Sequence, residues 1–338
     1  MANKMEDGKQ LTMVWHFDDL KLSHVMTKVV DKLIKWLREK YKDKDIGELK
    51  ATRGKLHDYL AMMLDFSVPG EVRIRMEKYI EEMIDGFIEK IEGTNTTPAA
   101  EHLFKVNENC PKLSEKKAQA FHNTVAKGLF VCKRSRGDIM TTIAFLCTRV
   151  QNPDEDDWKK LVRLMRYLNG TKGLYLTLKA DNTNVLKWYG DAAFAVHPNM
   201  RSHTGGTFTM GKGSIINIST KQKLNTKSST EAELVGADDL SNQILWTNYF
   251  LEAQGYEVKD TVLYQDNKST MLLLNNGKES STKRTRHLNI RYFFLSDRVA
   301  KKELRIEYCP TDDMLADYFS KPLQGMKFKK FRKAIMNL

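Results

Sequence analysis

Val185-Leu-Lys-Trp-Tyr-Gly-Asp-Ala-Ala-Phe-Ala-Val196 is the stretch on which the fold turns. From Trp188 to Ala195 it is apolar or small on both strand faces, as in a central strand covered from two sides. Asp191 sits in its middle. A carboxylate buried there needs a partner, because an unpaired one is neutralised or coordinates a cation; the simpler reading is a frayed or exposed stretch of strand. Outward from this run, residues 206–210, 215–220, 261–265 and 304–308 read as further strands. Residues from 229 to about 253 read as one long helix, capped by Ser228 or Ser229 with Glu231 or Glu233 in its first turn. The order strand, strand, strand, long helix, strand, helix, helix, strand, helix predicts an α/β unit over 185–338: one mixed five-stranded sheet with flanking helices.

Upstream, residues 12–24 hold two short apolar runs flanking Asp18-Asp19, the pattern of a hairpin whose turn presents two carboxylates. Val29, Val30, Leu33, Ile34 and Leu37 then share a helical face. Val72, Ile74 and Met76 alternate with Arg73 and Arg75 as a half-buried strand, and Tyr79, Ile80, Met83, Ile84, Phe87 and Ile91 predict a second helix. This first mixed unit, 1–94, ends in the polar linker 93–98. Residues 95–180 read as mostly helical: a helix capped by Ser114, one near 139–150, and one over 158–168 stopped at Asn169-Gly170. Asp181-Asn-Thr-Asn184 marks the next boundary.

The 338 residues carry 55 Lys and Arg against 43 Asp and Glu, a net charge of +12. That balance favours a polyanion partner, nucleic acid before an acidic membrane. No run approaches the ~18 uninterrupted apolar residues of a membrane span, and the N-terminus lacks the apolar core of a signal peptide. Cys110, Cys132, Cys147 and Cys309 show no paired spacing, so they read as reduced thiols; no small organic cofactor is suggested. Eight basic residues between Lys283 and Arg305, and six more between Lys321 and Lys333, suit either phosphate contacts or solvated helix faces. His287 reads either as a proton shuttle or as part of a packed helix; His197 and His203 show no zinc spacing.

The remaining carboxylates are weak signals singly. Glu231 and Glu233 lie two apart near a helix start, so only one can aim squarely at the sheet; Glu233 shares its face with Ala237, Leu240 and Ile244. Asp266 closes a strand and alone would be a helix cap. Asp317 alone would be a solvated helix residue. Together with Asp191, however, they could converge at one sheet edge to hold two divalent cations about 3.5–4 Å apart, the arrangement that hydrolyses phosphodiesters.

Several motifs stand in order: Trp15-His-Phe-Asp-Asp-Leu-Lys-Leu-Ser-His24, Gly54-Lys-Leu-His-Asp-Tyr-Leu60, Met62-Met-Leu-Asp-Phe-Ser67, Tyr167-Leu-Asn-Gly-Thr171, Gly190-Asp-Ala, Arg201-Ser-His-Thr-Gly-Gly206, Ser228-Ser-Thr-Glu-Ala-Glu233, Gln265-Asp-Asn267, Arg284-Thr-Arg-His-Leu-Asn-Ile-Arg-Tyr292, Leu315-Ala-Asp317 and Ser320-Lys-Pro-Leu323. This series resembles the reverse transcriptase and ribonuclease H region of copia-type LTR retrotransposon polyproteins. The resemblance implies a ribonuclease H-like sheet preceded by a partial reverse-transcriptase palm (1–94) and a helical thumb or connection (95–180).

It further implies that Asp191, Glu233, Asp266 and Asp317 are catalytic metal ligands, with Glu231 competing for the second place; His287, if it is a proton shuttle, would act beside them. They would hold two Mg²⁺ or Mn²⁺ ions and cut the RNA strand of RNA–DNA hybrids, with Arg201, Arg284, Arg286, Arg291 and Lys321 contacting nucleic acid. Asp18 and Asp19 match the polymerase double aspartate, also a metal pair. The family's third polymerase aspartate would lie before Met1, so no autonomous polymerase activity is expected. A complete reverse-transcriptase subunit is a second partner, and an intracellular site, in a cytoplasmic virus-like particle or the nucleus, follows from the family. Arg136-Gly-Asp138 departs from the family's usual Arg-Pro-Asp. A catalytically silent nucleic-acid-binding relic is the alternative; an integrase or transposase is disfavoured by the double-aspartate hairpin.

Overall fold

A computed structural model of the chain describes residues 1–42, 49–276 and 289–338, with side chains described from 294 onward in the last span. The chain opens on an antiparallel meander, β1 (Ala2–Glu6), β2 (Lys9–His16) and β3 (Asp19–Ser23). The expected hairpin is β2 with β3, closed by Phe17 and Asp18 between the paired His16 and Asp19. The hydrophobic pattern misses β1, although Asp7-Gly8 carries its signal: both residues take positive φ, as a two-residue type I′ turn requires.

After α1 (Thr27–Lys40) a second sheet takes β4 (Leu56–Tyr59), β5 (Met62–Asp65) and β6 (Val72–Arg75). The next helix, α2 (Glu77–Asp85), is shorter than its apolar spacing predicts. Gly86 ends it, donating its N–H to the Glu82 carbonyl, and Phe87 and Ile91 pack from irregular chain. The three helices expected downstream are α3 (Glu115–Cys132), capped by the Ser114 hydroxyl, α4 (Met140–Cys147) and α5 (Glu155–Asn169), which starts in an Asp154/Asp157 capping box. The linker at 93–98 is irregular yet anchored, since the Thr97 hydroxyl lies 3.0 Å from Gln324 Oε1. A further strand, β7 (Leu176–Ala180), returns beside β6.

The chain is completed by β8 (Val185–Ala193), β9 (His203–Thr209), β10 (Gly211–Lys212), β11 (Ile216–Lys221), α6 (Ser229–Ala253), β12 (Asp260–Gln265), α7 (Lys268–Asn276), α8 (Asn289–Ala300), β13 (Arg305–Tyr308), α9 (Asp317–Ser320) and α10 (Gly325–Met336). The expected mixed five-stranded sheet is present, in the order β11-β9-β8-β12-β13, with β8, β9 and β11 antiparallel in turn and β12 parallel to both β8 and β13. The short β10 pairs instead with β7 and stitches this sheet to the second one. Among the described residues no helix is long and apolar enough to cross a membrane.

Two cores sandwich the mixed sheet. On one face Leu186, Trp188 and Phe208 pack with Leu240 and Ile244 of α6, Leu274 of α7 and Leu295 of α8. On the other side a larger core joins α2 to α5 with Phe319 of α9 and with Phe328, Phe331 and Ile335 of α10. An ion pair lies inside this second core. Arg136 and Asp138 are fully buried and doubly hydrogen-bonded at 2.8 Å, and Arg136 also donates to the Thr171 carbonyl and hydroxyl. Tyr167 donates to Asp138 Oδ2 at 2.5 Å, and the Tyr318 hydroxyl donates to the Asp138 carbonyl. Burial opposes ionisation of Asp138, but the charge and hydrogen bonds of Arg136 outweigh it and hold the carboxyl below its usual range.

Where the helical core meets the sheet, His197 and His203 are both buried, joined at 3.0 Å through Nε2 and Nδ1, with His203 Nε2 at 2.7 Å from the Ser219 hydroxyl. Burial, with nearby Lys221, pushes His197 down to about 4; burial, with His197, pushes His203 down to about 3.

Asp138→Asn leaves the buried Arg136 guanidinium uncompensated and should cost about 3–5 kcal/mol in urea unfolding; a loss under about 1 kcal/mol would mean that water reaches the pair. For the histidines, the folded pKa lies below the unfolded value of about 6.5, so the unfolded chain takes up protons first as pH falls. Their contribution is complete above about 6.5 and is lost as pH drops toward 4. The urea midpoint should therefore fall between about pH 7 and about pH 5, and His203→Asn should flatten that fall; equal slopes in both proteins would contradict it.

Candidate metal centre

Backbone register brings the first two carboxylates to one level. In the parallel pair β8/β12, Tyr189 lies opposite Tyr264. Two residues further along each strand direction stand Asp191 and Asp266, on the same side by the two-residue period of the pleat. The third carboxylate comes from the helix. Ser228 caps α6 by accepting the Glu231 N–H, which places Glu233 in the first turns. Carboxylate oxygens of Asp191, Glu233 and Asp266 all lie within 4.8 Å of one another. Glu231, the competitor, instead accepts from the Lys227 backbone N–H ahead of the helix.

Glycine makes this convergence sterically possible. A Cβ on Gly190 or Gly206 would stand 2.9 or 2.4 Å from a methyl of Leu240, so α6 lies directly on the two strands. On the opposite face a Cβ on Gly205, the residue paired with Asp191, would meet the Ser320 backbone nitrogen at 2.5 Å and the Ala316 carbonyl at 2.6 Å. The short α9 thus presses on the sheet beside Asp191, and the Ser320 hydroxyl donates to Asp191 Oδ2.

Several neighbours orient the group. Gln265 donates to Glu233 Oε2 at 3.3 Å while its own carbonyl accepts the Asp266 and Asn267 N–H groups. Thr311 donates to Asp266 Oδ2 at 2.9 Å. The helix cap expected of Asp266 falls to Asn267, whose Oδ1 accepts the Thr270 N–H and leaves Asp266 free to face the group. The motifs around Gln265 and Ser320 were visible in the sequence as words, but nothing in them marked those two side chains as orienting groups; Thr311 had no signal at all.

Burial, and then the charges of Asp191 and Asp266, push Glu233 well above the usual carboxylate range. Burial also raises Asp191, with Lys321 pulling against it. Three buried or half-buried carboxylates at such distances repel one another and call for positive charge. An all-oxygen donor set suits a hard divalent ion such as Mg²⁺ or Mn²⁺.

Asp317 stands apart from these three. It is buried at the start of α9, with Lys321 Nζ at 2.5 Å from Oδ1 and Lys327 Nζ at 2.5 Å from Oδ2. Lys321, assigned above to nucleic acid, also lies 3.1 Å from Asp191 Oδ2. Much of the basic surface is similarly engaged: Arg298 with Glu303, Lys301 with Asp297, Arg305 with Asp260, Lys330 with Asp313, and Arg332 with the Tyr167 hydroxyl. Asp18 and Asp19 are exposed at the β2/β3 tip and belong to no group of three or more ligand side chains among the described residues. Arg201 is half-buried ahead of β9. Arg284, Arg286 and His287 lie outside the described residues, as does the side chain of Arg291.

No family model matches the chain. In sequence it is similar to retrotransposon Pol polyproteins. It is 30% identical over 261 residues to the retrovirus-related Pol polyprotein from transposon TNT 1-94 of Nicotiana tabacum, covering 76% of this chain and 19% of that protein. It is 32% identical over 203 residues to the corresponding polyprotein from transposon RE2 of Arabidopsis thaliana, covering 60% of this chain and 14% of that protein. The chain thus spans less than a fifth of the length of these curated relatives. Among solved structures, LC11-RNase H1 isolated from compost is 12% identical, covering 40% of this chain and 93% of its own, with a TM-score of 0.32.

Gly205→Ala should shift α9 and cost about 1–3 kcal/mol, read as a lower urea midpoint. Gly8→Ala, at a turn glycine with open space around its Cβ position but a φ of +70°, should cost about 1–2 kcal/mol through backbone strain alone and leave α9 unmoved; a loss under about 1 kcal/mol in Gly205→Ala would show that α9 yields freely.

Proposed function

We infer that this relative of the copia-type retrotransposon Pol polyproteins is a reverse transcriptase and ribonuclease H fragment whose last unit hydrolyses the RNA strand of RNA–DNA hybrids. The observation that carries the reading is the convergence of Asp191, Glu233 and Asp266 within 4.8 Å at the end of the central strands of a mixed sheet. The organisation proposed with it is a partial palm over 1–94, a helical thumb or connection over 95–180 and the ribonuclease H-like unit over 185–338.

Asp191, Glu233 and Asp266 would hold Mg²⁺ or Mn²⁺. When bound, such an ion lowers the pKa of water and stabilises the charge that develops on a leaving oxygen. The chain's own residues keep the ligands in place: Ser320 orients Asp191, Gln265 ties Glu233 to the strand that carries Asp266, and Thr311 fixes Asp266. Asp317, the fourth candidate ligand, is held by Lys321 on one oxygen and Lys327 on the other. The substrate would be recognised by groove shape and 2′-hydroxyls, with phosphate contacts from Arg201 and the 284–291 segment that position it without reading sequence. His287 is the proposed proton shuttle. The proposed setting is intracellular, in a virus-like particle or the nucleus, alone or beside a complete reverse-transcriptase subunit.

A second reading, a catalytically silent nucleic-acid-binding relic, is favoured by the two lysines on Asp317. Cleavage of a labelled RNA–DNA hybrid with Mg²⁺ or Mn²⁺ separates the two. Hybrid-specific cutting that falls about 100-fold or more in Asp191→Asn supports the hydrolase. Hybrid binding by folded protein without cutting supports the relic.

A further inference from the structure

We propose that the Lys321 ammonium holds the place of a second cation between Asp191 and Asp317, so that the centre takes one divalent ion rather than two. The inference rests on the metal-centre reading above. Asp191 faces two ways: toward Glu233 and Asp266 on one side, and toward Asp317 on the other, where Lys321 Nζ bridges Asp191 Oδ2 at 3.1 Å and Asp317 Oδ1 at 2.5 Å.

The bridge is built into the fold. Lys321 follows directly on Ser320, which is itself bonded to Asp191, and it stands four residues after Asp317, the spacing at which helical side chains meet. Lys327 of α10 takes the other oxygen of Asp317, so both of its oxygens are engaged. Asp191 and Asp317 are each under 3% exposed, whereas the Lys321 side chain reaches them from a half-buried position.

Charge counting gives the stoichiometry. Asp191, Glu233, Asp266 and Asp317 bring four formal negative charges when ionised, and Lys321 and Lys327 bring two positive ones. One divalent ion neutralises the remainder. A second would leave uncompensated positive charge among largely buried groups, which is unfavourable unless an ammonium withdrew.

Equilibrium titration of the full chain with Mn²⁺, following free Mn²⁺ by electron paramagnetic resonance, tests this. The count is the number of ions held by a protein and lost in Asp191→Asn. The wild type should hold one, Lys321→Met should hold two, and Lys321→Arg, which keeps the charge, should hold one. Two ions in the wild type, or one in a folded Lys321→Met, would overturn the role of Lys321 while leaving the metal centre standing. No ion in the wild type would overturn the centre and this inference together. If Lys321→Met fails to fold by circular dichroism, Lys321→Gln takes its place, and the wild-type count decides on its own.

Discussion

The buried pair Arg136–Asp138 is the interaction from which the geometry of the centre descends. A guanidinium and a carboxylate taken from water each lose several kcal/mol of solvation, and only a nearly complete set of hydrogen bonds offsets that. The set is assembled from distant parts of the chain: Thr171 after α5, Tyr167 within α5, and Arg332 in α10 through the Tyr167 hydroxyl. The segment that carries the pair also anchors α9, since the Tyr318 hydroxyl donates to the Asp138 backbone carbonyl and the Thr141 hydroxyl donates to the Tyr318 carbonyl. The position of α9 decides what faces Asp191, because Asp317, Ser320 and the adjoining Lys321 come from that one turn of chain.

A second constraint works by absence of side chain. Gly190 and Gly206 admit α6 onto one face of β8 and β9, and Gly205 admits α9 onto the other. Helix and strand approach so closely that carboxylates from three elements share one small volume. Like charges at that separation are unstable without a cation, and the fold supplies part of the compensation itself through Lys321 and Lys327. Stability of the resting centre and affinity for metal are thus set against each other, since every positive charge the protein provides is one that an ion would otherwise bring.

Much of this was legible in the linear pattern. The apolar run around Asp191 marked the central strand β8, and Ser228 with its acidic neighbours marked the start of α6, because burial on two faces and helix capping leave local signatures. Glu233 was separable from Glu231 by its apolar companions Ala237, Leu240 and Ile244, all buried in α6. Other elements left weaker traces. The hairpin of β4 and β5 turns through Leu60 and Ala61 at positive φ, where no glycine or asparagine announces it. The strand β10 is two residues long, and its pairing with β7 depends on a partner some thirty residues earlier. The helix α9, at four residues, is too short for any periodicity.

The sequence by itself determined the order of the longer elements between β8 and β13, the mixed sheet they build and the identity of the acidic residues, since these follow from periodicity, capping and residue chemistry along neighbouring positions. Only the tertiary structure decided which carboxylates meet and which are already paired. Asp317 and Lys321 could be named from their motifs, and their four-residue spacing permits a local ion pair, but the bridge from Lys321 to Asp191 and the pairing of Lys327 with Asp317 are contacts across the fold. Distance and desolvation govern such contacts, and neither is written in the spacing of residues along the chain.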